Sequence, residues 1–326
     1  MSTIDFHDPS LLWDAPQGLA QRPEGSAPAR FPADVIERAR RESPGFASRM
    51  ECATGCRLRV NTDANAISLG VRVIDTPRDF GEFIACSGGR VIGEWREMSF
   101  KPGAYHVKLA LAGASDMREV SVLFPQNVNL VLTSVELAGD LALPPRQESP
   151  RWLAIGDSIT QGMNAVSPLS TCVEKASGAL AIAAWNLGIG GCRMTVEPFE
   201  WALPMHGWKA VTVALGTNDW FGSRPVDEFS ASCHAMADAV AKAAPRARLI
   251  FITPPVARDE DKKAIPLEEY RTAISKVAAE RSSYAVDGRT LLDVTHGHFT
   301  LDGVHLTDKG GAAYAEKLLP ALRAAL

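Results

Sequence analysis

The chain has no concentration of basic charge. Acidic residues outnumber basic ones, 38 to 34, for a net charge of −4 over 326 residues. That excludes the basic footprint a nucleic-acid partner requires. Nor is there a run of about 18 apolar residues, the minimum for a membrane-spanning helix. The opening MSTIDFHDPSLLWDAPQGLA lacks a basic start and a long apolar core, so it does not read as a signal peptide. Cysteine is sparse: Cys52, Cys56, Cys86, Cys172, Cys192 and Cys233, of which only Cys52 and Cys56 lie close together, in CATGC. A zinc or redox site calls for a tighter pair with a partner pair. The expectation is reduced, mostly buried thiols in a cytoplasmic protein, with a Cys52–Cys56 disulfide as the alternative. What is present is ordinary for a globular protein: 46% hydrophobic and 22% charged residues. At roughly 100–200 residues per domain, the length suggests two domains.

The chain changes character near residue 145. Before it, apolar residues alternate with polar or small ones: Ile67, Leu69, Val71, Val73; then Tyr105, Val107, Leu109, Leu111; then Val120, Val122, Phe124. A further strand is expected over 128–137. Turn residues separate the runs at Ser87-Gly88-Gly89, Lys101-Pro102-Gly103 and Gly113 to Asp116. Short alternating strands at this spacing predict an antiparallel, jelly-roll-like β-sandwich over residues 1–145. Residues 1–45 are expected to wrap its surface, with one short helix from Pro32 to Arg41. The stretch from Leu143 to Pro150, LPPRQESP, reads as a linker.

Over 150–326 the pattern becomes strand then helix, repeated. Near-continuous apolar runs predict strands at Trp152–Ile155, Ala183–Leu187, Ala210–Leu215, Leu249–Thr253 and Tyr284–Val286. Helices are expected at Val226–Ala243, Pro266–Arg281 and Lys309–Ala325. Buried strands alternating with helices predict an α/β fold, a parallel five-stranded sheet covered on both faces. Chemistry in such sheets gathers at the carboxyl ends of the strands.

Four stretches fall at or beyond those ends: Gly156-Asp157-Ser158, NLGIGG over 186–191, Gly216-Thr217-Asn218-Asp219, and DGVHLT over 302–307. A serine at a strand-to-helix junction fits two roles, a helix cap or a nucleophile. The second needs a base to take the hydroxyl proton. His305 is the candidate, and Asp302, three residues earlier, is placed to orient its ring. Acyl transfer also needs donors aimed at the developing oxyanion. The backbone N–H of Ser158, that of Gly191 (with Gly190 as its neighbouring alternative) and the Asn218 amide are the candidates.

These four blocks, in this order, resemble those of the SGNH (GDSL-type) esterase family over roughly residues 150–326. The resemblance implies a flavodoxin-like catalytic domain in which Ser158, Asp302 and His305 form a triad and Ser158, Gly191 and Asn218 an oxyanion hole. It implies no metal or organic cofactor, and it makes Asp157 and Asp219 structural partners of the loops. A β-sandwich before such a domain is similar to the layout of carbohydrate O-acetylesterases and of certain natural-product acyltransferases.

Other residues carry two readings. Trp220, Trp201 and Met194 pack a core or line the substrate pocket. His296 and His298 have no third metal ligand at matching spacing and read as loop residues. The charged run from Arg258 to Lys263 reads as a solvated loop or a pocket rim. The function expected is hydrolysis of short, acetyl-like O-acyl esters of a sugar or small alcohol. The alternatives are an acyltransferase with a small-molecule acceptor and a glycan-binding protein with an incidental hydrolase domain.

Overall fold

The structure, a computed structural model, describes residues 2–113, 116–145, 149–257, 260 and 262–326. Parts of the expected turn near 113–116, of the linker and of the charged run after Ala257 lie outside the described residues. The chain divides into two compact units, Met1–Gln147 with Val166–Leu169, and Glu148–Ala165 with Ser170–Leu326.

The first unit begins with strands β1 (Ser2–Ile4), β2 (Leu12–Asp14), β3 (Leu19–Arg22) and β4 (Gly25–Pro28), then helices α1 (Ala33–Glu42) and α2 (Pro44–Glu51). Strands β5 (Arg57–Thr62), β6 (Ala66–Asp75), β7 (Gly81–Ser87) and β8 (Arg90–Glu97) follow. It ends with β9 (Gly103–Ala110), β10 (Arg118–Leu123), β11 (Asn129–Leu137) and β12 (Leu141–Ala142). They form two antiparallel sheets, ordered β3-β4-β11-β6-β9 with β1 on β11, and β12-β5-β10-β7-β8 with β2 on β5. One core joins the sheets. Ile67, Leu69, Val71 and Val73 from β6 meet Leu58 and Val60 from β5 and Val120 and Val122 from β10. Alternation along each strand sends one set of side chains inward, as a sandwich requires. The β7–β8 turn at Gly88 and Gly89 takes φ of +54° and +75°, the left-handed region a tight hairpin needs.

The N-terminal segment does more than wrap. Its strands β1 and β4 pair with β11, and β2 pairs with β5, and Leu11 is buried in the core. Runs of three or four residues are too short for periodicity to reveal. Helix α1 forms as expected, one residue later than the sequence suggests. Helix α2 was not anticipated; Ser43 caps it through its hydroxyl, which accepts from the Phe46 N–H, and Pro44 opens it.

The second unit contains strands β13 (Trp152–Gly156), β14 (Ala184–Gly188), β15 (Ala210–Ala214), β16 (Arg248–Ile252) and β17 (Tyr284–Val286). Its helices are α3 (Ser158–Gln161), α4 (Cys172–Leu180), α5 (Thr217–Phe221), α6 (Val226–Ala243), α7 (Leu267–Glu280) and α8 (Asp308–Ala325). The sheet is wholly parallel, ordered β14-β13-β15-β16-β17. That is a flavodoxin-like order, with the chain reversing direction across the sheet at β13. Trp152 and Ala154 face a core shared with Val173 and Ala176 of α4 and Tyr314, Leu318 and Leu322 of α8. Leu153 and Ile155, also buried, point to the other face by strand alternation. Burying each such large side chain contributes about 1.5–3 kcal/mol. No helix among the described residues is long and apolar enough to cross a membrane. All six cysteines are free.

Candidate active site

The central strand β13 stops at Gly156, and α3 starts two residues on. Asp157 is the N-cap: its Oδ1 accepts the Ile159 N–H at 2.9 Å. So the cap is the aspartate, and Ser158 is the first helical residue, 8% exposed. The turn is tight. A Cβ on Gly156 would run into the Thr160 side chain, so only glycine lets α3 fold back this closely.

The histidine comes from the other end of the unit. A bridge pairs Phe299 with Leu306, and the Thr300 N–H donates to the His305 carbonyl at 2.8 Å. Residues 300–305 thus form a closed loop just before α8, which Thr307 caps by accepting the Gly310 N–H. Inside this loop Asp302 Oδ1 accepts from the backbone N–H groups of Val304 and His305 and from the Thr300 hydroxyl, each at 2.9 Å. Asp302 Oδ2 lies 2.7 Å from His305 Nδ1, and His305 Nε2 lies 2.8 Å from Ser158 Oγ. Burial works against the Asp302 charge, but the bonds from His305 and Val304 more than offset it and hold the carboxyl well below the usual carboxylate range. A charged carboxylate on Nδ1 fixes the tautomer that leaves Nε2 free to accept the serine proton.

Opposite the serine are two loops. After β14, Gly190 donates its N–H to the buried Gln161 Oε1 at 2.7 Å. Gly191 takes φ of +82°, and its N–H has no acceptor among the described residues. Gly190, the neighbouring alternative, is thus held as an anchor by Gln161. The Ser158 N–H, at the first helical position, is likewise without an intrahelical acceptor. After β15, the Asn218 amide donates to the Cys192 carbonyl at 3.1 Å and approaches Asp157 Oδ2 at 3.4 Å. Of the three expected donors, the N–H groups of Ser158 and Gly191 have no acceptor among the described residues, and the Asn218 amide is tied to the Cys192 peptide.

Two buried carboxyls brace these loops. Burial pushes Asp157 up to about 7, the Ile159 N–H opposing and the charge of Asp219 adding. Asp219, fully buried, accepts the Met194 N–H at 2.9 Å and an Arg224 N–H at 3.0 Å.

Two of the three expected pocket residues are buried. Trp220 and Met194 are each only 1% exposed. Trp220 donates its indole N–H to the Ile265 carbonyl at 3.1 Å. On helix α5 it lies two residues beyond Asn218, about 200° round the axis. Met194 is held by its backbone between Asp219 and Arg224. Trp201 lies tilted against Trp185, ring centroids 5.9 Å apart, in a cluster where Trp185 also meets His206 and Trp208. His298 accepts the Asp293 N–H at 3.0 Å through Nδ1, the role of a loop residue. Among the described residues no three His, Cys, Asp or Glu side chains are grouped to hold a metal ion.

Sequence reasoning missed Asn164, Thr300 and Gln161. The Asn164 amide donates to the Thr300 hydroxyl oxygen at 3.2 Å and reaches Asp302 Oδ2 at 3.4 Å. Gln161 carried no more signal than its place three residues after the serine; in the fold its amide is fully buried. Asn164 carried none, because its partners lie more than 130 residues away.

Over whole chains, the structure is similar to a salicylyl-acyltransferase from a tetracycline biosynthetic pathway, with 18% identity, 99% of this chain and 97% of that one covered, and a TM-score of 0.85. It is also similar to family two carbohydrate esterases. One is from Clostridium thermocellum, an active-site mutant (15% identity, 97% and 98% covered, TM-score 0.71). Another is from Cellvibrio japonicus (13% identity, 99% and 97% covered, TM-score 0.70). No curated protein matches the chain in sequence. The model of the GDSL-like Lipase/Acylhydrolase family matches residues 154–313, a span that holds Ser158, Gly191, Asn218, Asp302 and His305. Residues 154–313 therefore form an acylhydrolase domain of the GDSL-like family.

Proposed function

We propose that the protein is a serine esterase acting on short O-acyl esters of a sugar or small alcohol. Ser158, His305 and Asp302 are its triad, and the N–H groups of Ser158 and Gly191 with the Asn218 amide are its oxyanion hole. The hydrogen-bonded line from Asp302 through His305 to Ser158, at 2.7 and 2.8 Å, carries this reading. His305 Nε2 takes the Ser158 proton as Oγ bonds to the ester carbonyl carbon. The carbonyl oxygen becomes an oxyanion facing the donors. The intermediate collapses, the C–O bond to the alcohol breaks, and the alcohol leaves with the proton from His305. Water then repeats the sequence on the acyl-enzyme, deprotonated by His305, and releases the acid. In this account residues 150–326 are the catalytic domain and the sandwich of residues 1–145 is an accessory domain. Substitution Ser158→Ala is the test: turnover of p-nitrophenyl acetate should fall to background while the circular dichroism spectrum is unchanged. Retained turnover would contradict the proposal.

A second reading is acyl transfer to a small-molecule acceptor. It is supported by the similarity in fold to the salicylyl-acyltransferase, which exceeds that to the two carbohydrate esterases above. Both readings share the acyl-enzyme and part at what attacks it. Product analysis with a competing alcohol distinguishes them, since an acyltransferase gives the new ester in preference to free acid.

A further inference from the structure

We propose that Arg193 selects esters that carry a negative charge close to the reacting carbonyl. This assignment rests on the esterase reading and names the substrate class of that same site. Arg193 stands two residues beyond Gly191, in GIGGCRM. The Cys192 carbonyl just before it accepts the Asn218 amide at 3.1 Å, so its backbone joins the loops that bear two of the three oxyanion donors. Its side chain runs along α5 and lies over Gly222, where a Cβ would collide with the guanidinium. Gly222 in turn donates its N–H to the Asn218 carbonyl at 3.0 Å. The guanidinium is thus seated one helical turn, about 6 Å of rise, from Asn218.

Among the described residues it has no counter-charge. Arg224 and Arg271 of the same unit are paired with Asp219 and with Glu260 and Glu268. Arg193 is exposed, and its guanidinium makes no hydrogen bond or ion pair among the described residues. A second cation adds to the field: Lys263 Nζ donates to the carbonyls of Phe221 at 2.8 Å and Trp220 at 3.4 Å, neutral acceptors that leave its charge in place. Two positive groups therefore flank the Phe221–Gly222 turn beside the oxyanion loops. The planar guanidinium fork suits a carboxylate or phosphate, whose oxygens accept two parallel N–H bonds. A neutral ester gains nothing from either cation.

The test compares kcat/KM for two matched pairs of esters. The pair p-nitrophenyl hemisuccinate and p-nitrophenyl butyrate places the anion on the acyl side. The pair p-acetoxybenzoate and methyl p-acetoxybenzoate places it on the alcohol side. In at least one pair the anionic-to-neutral ratio should fall about fivefold or more in Arg193→Gln, with part of the loss restored in Arg193→Lys. Added salt should lower the same ratio in the unaltered protein, a reading that needs no variant to fold. Ratios within about twofold of the unaltered protein in both pairs, with turnover that depends on Ser158, would overturn the role of Arg193 alone. Equal release from all four esters by the unaltered protein and by Ser158→Ala would overturn the esterase reading, and this assignment with it.

Discussion

Asp302 shows how a partly exposed carboxylate is kept charged and fixed. Three donors hold Oδ1, so Oδ2 has one orientation in which to face His305. Replacing Asp302 by Asn removes the charge that favours the imidazolium and allows the wrong ring tautomer, so kcat should drop by about 10³–10⁴-fold. Steady-state kinetics on p-nitrophenyl acetate would check this; a loss under tenfold would mean that another group orients His305. Under the proposed mechanism, in which its amide would serve the oxyanion, Asn218→Ala should lower kcat by about 10²–10³-fold with KM little changed. A change confined to KM would assign Asn218 to ground-state binding. Both residues stand in short motifs of the sequence, Asn218 just after β15 and Asp302 in the loop before α8. Trp220 is buried with its indole N–H on the Ile265 carbonyl, a packing contact that adjacency to Asn218 in sequence does not reveal. Asn164 and Thr300 stayed hidden because one acts across the fold and the other looks like any loop threonine.

Elements position the chemistry through what their ends permit. The long helices and buried strands of the second unit follow hydrophobic period, and their observed bounds fall within about two residues of the sequence reading. Short elements escape that signal: α3 and α5 have four and five residues, and strands β1 to β4 three or four. Yet α3 and α5 carry Ser158 and Asn218. The placement of α3 depends on glycine, since Gly156 admits the Thr160 side chain and Gly188 the backbone of Gln161. Gly156→Ala should therefore destabilise the second unit by about 1–3 kcal/mol and reduce activity beyond that, because α3 must shift. Urea unfolding and kcat measured together would test it. An alanine variant with unaltered midpoint and rate would show that the turn has room to spare.

For the molecule as a whole, the buried Asp157 predicts a pH dependence of stability with a definite sign. Its carboxyl is raised to about 7 in the fold, above the ordinary 3.8 of the unfolded chain. The folded state therefore binds a proton that the unfolded state releases between those values. The stability tied to this group is full below about pH 4 and declines as pH rises towards 7. Asp302 runs the other way: its depressed carboxyl stabilises the fold above about pH 4 and loses that contribution as pH falls. In Asp157→Asn the decline between pH 4 and 7 should disappear, whatever the variant's absolute stability. Urea midpoints across that range would show it, and parallel profiles for both proteins would contradict the assignment. The central claim remains that Ser158 is a nucleophile activated by His305. Labelling with a fluorophosphonate, followed by mass spectrometry of the peptides, tests it most directly. The account predicts a single adduct on Ser158 that forms rapidly and is nearly abolished in His305→Ala. Label elsewhere, or equal labelling of Ser158 in that variant, would contradict it.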